Sequence, residues 1–528
     1  MDSSLQELQD NNLCVVDSKI KSLEKSIEAL KLLKIHRNTL VPISRLTSEI
    51  LVSIFSLLSS SVFSISSQPF AAPFIFSHVC HKWREISLNF PHLWSRINFT
   101  QLTLASTAKM LTRAKTVPLH LEADLTGWGR EQIDAFERLL NGHISQTRDL
   151  RISGPLPAFG QLVSSAPILE SLSLSHTAAR PDLSYPAIIP PKLFNSTTPR
   201  LTSVELKNCY ISWKSRLFKS LRVLKILNTS EEERPSLEVW LNTLGEMTQL
   251  ETLVLESATP RALHTSDSWR IIILPSLTKF HISASAADCA LALAHLVMPA
   301  LTSLHVNAKS QDDNGEDVRP LIRHISQNVY VLQGTEPLRS ILIDSKRNHA
   351  EVLAWTMSGA DLKFRDPNVK DHMLVPPSLI FTATGIWSST LNNAILEAFL
   401  TLLPVNTIST LTTRNDASLS KKFWVSHTPR WPLLKRASLV ARTFSAFMSA
   451  LTDDAPPDGP RLPWLTKLNL VYVTVDASMT RYLRAMLIQR VEQGVPLERL
   501  DLSMSFVDDG DIHLLREIVV DVKEPMRN

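Results

Sequence analysis

The apolar positions change period along the chain. Leu13, Val16, Ile20, Leu23, Ile27 and Leu30 follow a 3-4-3-4-3 spacing, an a/d heptad stripe on one helix. Lys19, Lys21, Glu24, Lys25 and Glu28 fill the positions between, and Lys34, His36 and Arg37 supply cations for the last turn. An amphipathic helix over 1–38 is therefore expected. The stripe reads equally as a short coiled coil that joins two copies through 13–34, or as a helix lying against the segment that follows.

From Leu40 to Phe99 the helical period returns in two pieces. Ile50, Ile54, Leu57 and Leu58 fall at i, i+4, i+7 and i+8, one face of a helix. Thr47 stands where it can cap that helix, and Glu49 sits in the first turn, where the dipole favours an acid. Ile75, Val79, Trp83 and Ile86 repeat the spacing and predict a second short helix, closed by Asn89-Phe90-Pro91 before Leu93-Trp94. A Ser-rich insert, 59–73, separates the two. About sixty residues hide this much apolar surface poorly on their own. The segment is expected to pack on a neighbour, a partner, or both.

Beyond residue 100 an L-x-x-L-x-L pattern takes over. It occurs at Leu169, Leu172 and Leu174, at Leu201, Val204 and Leu206, and at Leu221, Leu224 and Ile226. It recurs at Leu250, Leu253 and Leu255, at Leu277, Phe280 and Ile282, at Leu301, Leu304 and Val306, and at Leu338, Ile341 and Ile343. The last copies are Leu434, Ala437 and Leu439, then Leu465, Leu468 and Leu470, then Leu497, Leu500 and Leu502. A partial copy lies at Leu150 and Ile152. The first leucines are 32, 20, 29, 27, 24, 37, 96, 31 and 32 residues apart. The 96-residue gap leaves room for two or three degenerate units, one of them at Ile408 and Leu411. Spacers carry helical stripes: Leu237, Trp240, Leu241 and Leu244; Val318, Leu321, Ile322 and Ile325; Leu391, Ile395, Phe399 and Leu402; Tyr482, Met486 and Ile488. Strand and helix alternating near a period of 30 predict an α/β solenoid over 101–528, with a parallel sheet covered by helices on its outer face.

Within the first helical segment, Leu46, Glu49-Ile50-Leu51, Ile54-Phe55 and Leu58, followed by Val79-Cys80, Trp83-Arg84, Pro91 and Leu93-Trp94, resemble an F-box over 39–100. That family usually has Leu-Pro where this chain has Leu46-Thr47, and its insert is shorter. The later pattern resembles leucine-rich repeats, although only Cys209, after Leu206, matches the family's Asn/Cys position. Together they look like the fungal type of F-box protein with a leucine-rich-repeat domain. The fold implied is α/β: an N-terminal helical F-box module followed by an irregular, horseshoe-like solenoid. The role implied is a substrate-recognition subunit of a Skp-cullin-F-box-type ubiquitin ligase. Leu46, Ile50, Ile54, Leu58, Val79 and Trp83 would bind the Skp-type adaptor, and the repeats would hold a target protein. No catalytic residue, metal or cofactor belongs to that role. The alternative is a leucine-rich-repeat interaction scaffold whose F-box has degenerated and which has no ligase role.

Composition narrows the rest. Lys and Arg number 55 against 51 Asp and Glu, a net charge of 55 − 51 = +4 over 528 residues. This gives no electrostatic case for nucleic acid. The residues beside the repeat leucines, such as Glu205, Lys225, His281, His305, Leu342, Asp344 and Asp501, mix both charge signs, as a face for a protein or peptide would. Glycine is scarce, at 13 residues, and no GxGxxG or GxxxxGK[ST] loop occurs. The four cysteines, Cys14, Cys80, Cys209 and Cys289, are far apart, which fits a reducing compartment. His78-Val79-Cys80-His81 has no second ligand pair at zinc spacing. Asp312 to Asp317 resembles a calcium loop, but Leu321 stands where the bidentate Glu is needed, so a solvated turn is expected. Neither a signal peptide nor a membrane span is read, and the expectation is an intracellular protein of cytoplasm or nucleus.

Overall fold

The computed structural model describes residues 2–65, 72–155, 162–177, 187–190, 193–260, 270–357, 375–385, 389–415, 417–452 and 460–525. It is a mixed α/β structure in which parallel strand pairing dominates. The chain divides into two compact units. The first comprises Met1–Ser173, Thr177–Ala179 and Lys192–Arg200; the second comprises Leu174–His176, Arg180–Pro191 and Leu201–Asn528.

The first unit opens with α1 (Asp2–Thr39). Then come α2 (Ser48–Ile65), α3 (Ala72–Val79) and α4 (His81–Asn89). The second helix expected from Ile75, Val79, Trp83 and Ile86 is thus two helices. The break falls at Cys80, whose extended backbone ends α3 and whose thiol accepts the Trp83 N–H at 3.5 Å. The Ser-rich insert is partly helical, since α2 continues through Ile65; residues 66–71 lie outside the described ones. The unit continues with β1 (Arg96–Asn98), α5 (Leu104–Ala114), β2 (Leu119–Asp124), α6 (Arg130–His143) and β3 (Thr147–Gly154). The three strands pair in parallel through Ile97↔Leu121 and Leu121↔Leu150. Gly154 is required where it stands, because a Cβ there would lie 2.8 Å from the Leu125 Cβ.

The division between units falls inside β4 (Ser171–His176). In the second unit, β5 (Ser203–Lys207), β6 (Val223–Leu227), β7 (Thr252–Glu256), β8 (Lys279–Ser285) and β9 (Ser303–Lys309) pair in parallel, each with the next. Equivalent leucines fall in register: Val204↔Leu224↔Leu253↔Phe280↔Leu304. All thirty residues of the ten repeat copies are buried, none more than 4% exposed. Each is worth about 1.5–3 kcal/mol of burial when it is a large aliphatic. The chain bends after a strand through a left-handed residue: Asn208 (φ 53°), Asn228 (φ 57°) and Ser257 (φ 52°). Asn tolerates that region better than most residues because its side chain is short and bonds locally.

Beyond β9 the pairing departs from the uniform parallel order expected. β10 (Ser340–Lys346), β11 (His349–Trp355) and β12 (Leu379–Thr384) form an antiparallel meander, and it is β12 that pairs with β9. Parallel order resumes from β10 through β13 (Thr410–Asn415), β14 (Arg436–Val440), β15 (Lys467–Val475), β16 (Arg499–Val507) and β17 (Asp521–Lys523). The degenerate copy at Ile408 and Leu411 is β13, with both residues buried.

Helices follow most of these strands: α7 (Leu237–Glu246), α8 (Ala286–Ala294), α9 (Val318–Thr335), α10 (Ser389–Leu402), α11 (Lys421–His427), α12 (Ala441–Thr452), α13 (Ala477–Glu492) and α14 (Asp509–Arg516). Ser236, Ser285 and Ser420 cap α7, α8 and α11 by accepting a backbone N–H three residues on. Trp240, Leu241 and Leu244 are buried, as are Val318, Leu321, Ile322 and Ile325. Two stripes are turned from expectation. Leu402 is exposed on α10, whose buried side carries Ile395, Leu396, Phe399 and Leu400. On α13, Tyr482 is exposed and the buried side is Leu483, Met486, Leu487 and Arg490.

Candidate functional site

The α2–α4 trio has a core of its own. Leu51 and Phe55, one turn apart on α2, are fully buried, and Phe55 stacks on Phe76 of α3 at 4.4 Å between ring centres. Leu93 and Trp94 close the base. The Trp94 indole donates to the Ser87 carbonyl at 2.8 Å, and the Arg113 guanidinium lies over its ring at 4.4 Å. Lys82 Nζ donates to the carbonyls of Ser44 and Leu46, at 3.0 and 3.1 Å, and ties α4 to the turn before α2. Arg84 Nε donates to the Ser77 carbonyl at 2.7 Å.

The sequence-predicted site residues distribute around this core. Ile50 (47% exposed), Leu58 (46%) and Val79 (55%) stand in solvent, while Leu46, Ile54 and Trp83 are half-buried. The face of Ile50, Ile54, Leu57 and Leu58 is therefore the outer side of α2, opposite Leu51 and Phe55. Ile43, which the sequence pattern did not single out, and Leu57, which it placed on this stripe but not among the docking residues, are also exposed apolar residues of this segment. Trp83 has a second occupation, since its ring packs on Phe55 at 4.8 Å. Thr47 precedes the first residue of α2. Its hydroxyl bonds the Glu49 carboxylate and holds that carboxyl below the ordinary carboxylate range.

In the second unit, the residues that alternate with the repeat leucines line one side of the ladder. Glu205 and Lys225 pair across β5 and β6 at 3.3 Å. His281 and His305 stand side by side on β8 and β9, with ring centres 5.7 Å apart. Burial holds both imidazoles below their ordinary pKa. Cys209 is fully buried and donates to the Leu174 carbonyl at 3.3 Å; burial pushes its thiol up to about 12.

The same side is covered at the meander. Leu342, Leu353 and Trp355 are buried there, with Val375 and Ile380 against them, and Asp344, Glu351 and Arg414 are buried beside them. Asp344 is in register with both Glu351 and Arg414 and accepts from the Asn415 amide. Leu342 and Asp344, expected on an open face, are therefore interior. The available signal was the i, i+2 spacing of Leu342 with Asp344 and of Glu351 with Leu353, which puts each charge on the same side of its strand as a leucine.

The Asp312–Asp317 stretch is a turn whose carboxylates accept from its own backbone. Asp312 takes the N–H groups of Asn314 and Glu316, and Asp317 takes the Ser310 hydroxyl and the Gln311 N–H. Among the described residues, no helix is long and apolar enough to cross a membrane. No family model matches the chain, and no curated protein matches it.

Proposed function

We propose that this chain is the substrate-recognition subunit of a Skp-cullin-F-box-type ubiquitin ligase. The observation that carries the reading is the apolar outer side of the α2–α4 trio. Ile50, Leu58 and Val79 are exposed although the trio's own core is already filled by Leu51, Phe55, Phe76 and Trp94. Apolar groups gathered outside a complete core mark a surface that another protein covers. In this reading Leu46, Ile50, Ile54, Leu58, Val79 and Trp83 fill a groove of the Skp-type adaptor.

The second unit is read as an irregular leucine-rich-repeat solenoid whose half-buried strand side receives a target protein. What supports this is the in-register ladder of leucines and the left-handed residue after β5, β6 and β7. Catalysis comes from proximity, since the receptor holds the target near the ubiquitin carrier and contributes no reacting group of its own.

Titration of the full chain with purified Skp-type adaptor tests the reading. A complex is expected, weakened at least tenfold, or about 1.4 kcal/mol, by Ile50→Ala with Val79→Ala. A folded chain that binds no adaptor would sink the ligase role and leave the scaffold with a degenerate F-box.

A further inference from the structure

The apolar stripe of α1 has no cover. Leu13, Val16, Ile20, Leu23, Ile27 and Leu30 are each between 47% and 65% exposed, so the helix does not lie against the α2–α4 trio along this side. Six large apolar residues on one line of an exposed helix are the condition under which helices wind around one another.

We propose that α1 is a homodimerisation element that pairs with α1 of a second copy as a parallel, two-stranded coiled coil over 13–34. Three features of the sequence choose this occupant and this direction. With Leu13 at a, the central a positions are Ile20 and Ile27 and the d positions following them are Leu23 and Leu30. A β-branched residue at a with Leu at d is the combination that favours parallel pairs over larger bundles. The flanking charges agree. In the parallel arrangement Lys19, at g, faces Glu24, at e, of the second copy, and the pair occurs twice by symmetry. In the antiparallel arrangement centred on the same stripe, the e position of Asp17 would meet the e position of Glu24, a like-charge contact. The third feature is the end of the seam. Lys34 and Arg37 occupy the next a and d positions, so the apolar register stops at Leu30. Leu33, at g, flanks the seam, while Val15, Leu32 and Ile35 fall outside it.

The inference does not rest on adaptor docking, and its test uses no adaptor. Sedimentation equilibrium of the full chain is expected to give twice the chain mass. Ile20→Lys with Ile27→Lys should return the chain mass while the far-ultraviolet signal of the two units stays. Lys19→Glu alone and Glu24→Lys alone should each weaken association roughly tenfold, and the two together should restore it. Direction is read with Leu30→Cys in a Cys14→Ser background, oxidised by glutathione disulfide. A parallel pair brings the two new thiols together and cross-links. An antiparallel pair separates them by about 25 Å, from 17 residues at 1.5 Å each, and gives no cross-link beyond the background chain. A monomer at all concentrations overturns the proposal, as does a dimer indifferent to Ile20 and Ile27. A dimer that fails to cross-link overturns the parallel direction.

Discussion

Phe55 and Trp83 pack with ring centres 4.8 Å apart at 58°, so the tryptophan that would face an adaptor also shields the interior of the α2–α4 trio. The two roles separate by mutation. Trp83→Ala should cost roughly 2–4 kcal/mol of local stability, less than a fully buried aromatic because the side chain is only half-buried. Ile50→Ala and Val79→Ala, at exposed positions, should stay within about 0.5 kcal/mol. Native-state hydrogen exchange of the α2–α4 amides reads both. Equal effects of all three would show that the outer residues belong to the core.

Arg234 and Asp288 form an ion pair at 2.8 Å whose side chains are only 12% and 10% exposed. Asp288 lies in the first turn of α8, and its N–H is capped by Ser285. Removing the guanidinium takes an ion-pair partner away from a buried carboxylate, so Arg234→Ala should destabilise the second unit by about 3–5 kcal/mol. Arg234→Met with Asp288→Leu should recover most of that loss, because both charges of the pair leave together. Equilibrium urea unfolding of the four corners of this cycle gives the coupling. Additive losses would mean that the pair is energetically independent.

His281 and His305 tie stability to pH. Burial lowers both pKa values in the folded state; Glu256 raises His281 in part, and His281 further lowers His305. In the unfolded chain both titrate near about 6.5. As pH falls through that value the unfolded chain takes up protons first, so the folded state loses stability from about pH 7.5 downward until the depressed folded pKa values are passed. His281→Gln with His305→Gln should flatten that slope. An unchanged slope would place the acid sensitivity elsewhere.

The cysteines should sort by burial. Cys14 is exposed, whereas burial pushes Cys209 and Cys289 up to about 12. Iodoacetamide at pH 8 should label Cys14 roughly a thousandfold faster than Cys209 or Cys289, since the thiolate reacts. Peptide mapping against time checks this. Fast labelling of Cys209 in folded protein would mean that the β4–β5 region opens.

Most repeat strands were legible because they bury one side only, which leaves leucines at i and i+2 between half-exposed neighbours. β10 and β13 are buried on both sides and were found from their leucine spacing alone, at Leu338, Ile341 and Ile343 and at Ile408 and Leu411. β11 and β12 were not, because Ala350 to Trp355 and much of Leu379 to Thr384 are buried on both sides, which leaves no alternation to read, and they carry no L-x-x-L-x-L spacing either. Cys80 hid the break between α3 and α4, since cysteine is not among the residues that signal a cap. The buried side of α13 was misplaced because Arg490 belongs to it. Its guanidinium donates to the carbonyls of Arg461, Leu462 and Leu465, and its pKa is lowered by burial to about 10. At the candidate docking face, spacing told which residues share a side of α2. Only the burial of Leu51 and Phe55 told which side is left for a partner.

Hydrogen–deuterium exchange of the full chain with and without saturating Skp-type adaptor tests the central claim most directly. Slowed exchange is expected in 43–58 and 74–84, around Ile50, Leu58, Val79 and Trp83, with the amides of β5 to β9 unchanged. Exchange that is unaltered in both segments, or protected only elsewhere, would contradict docking through this face.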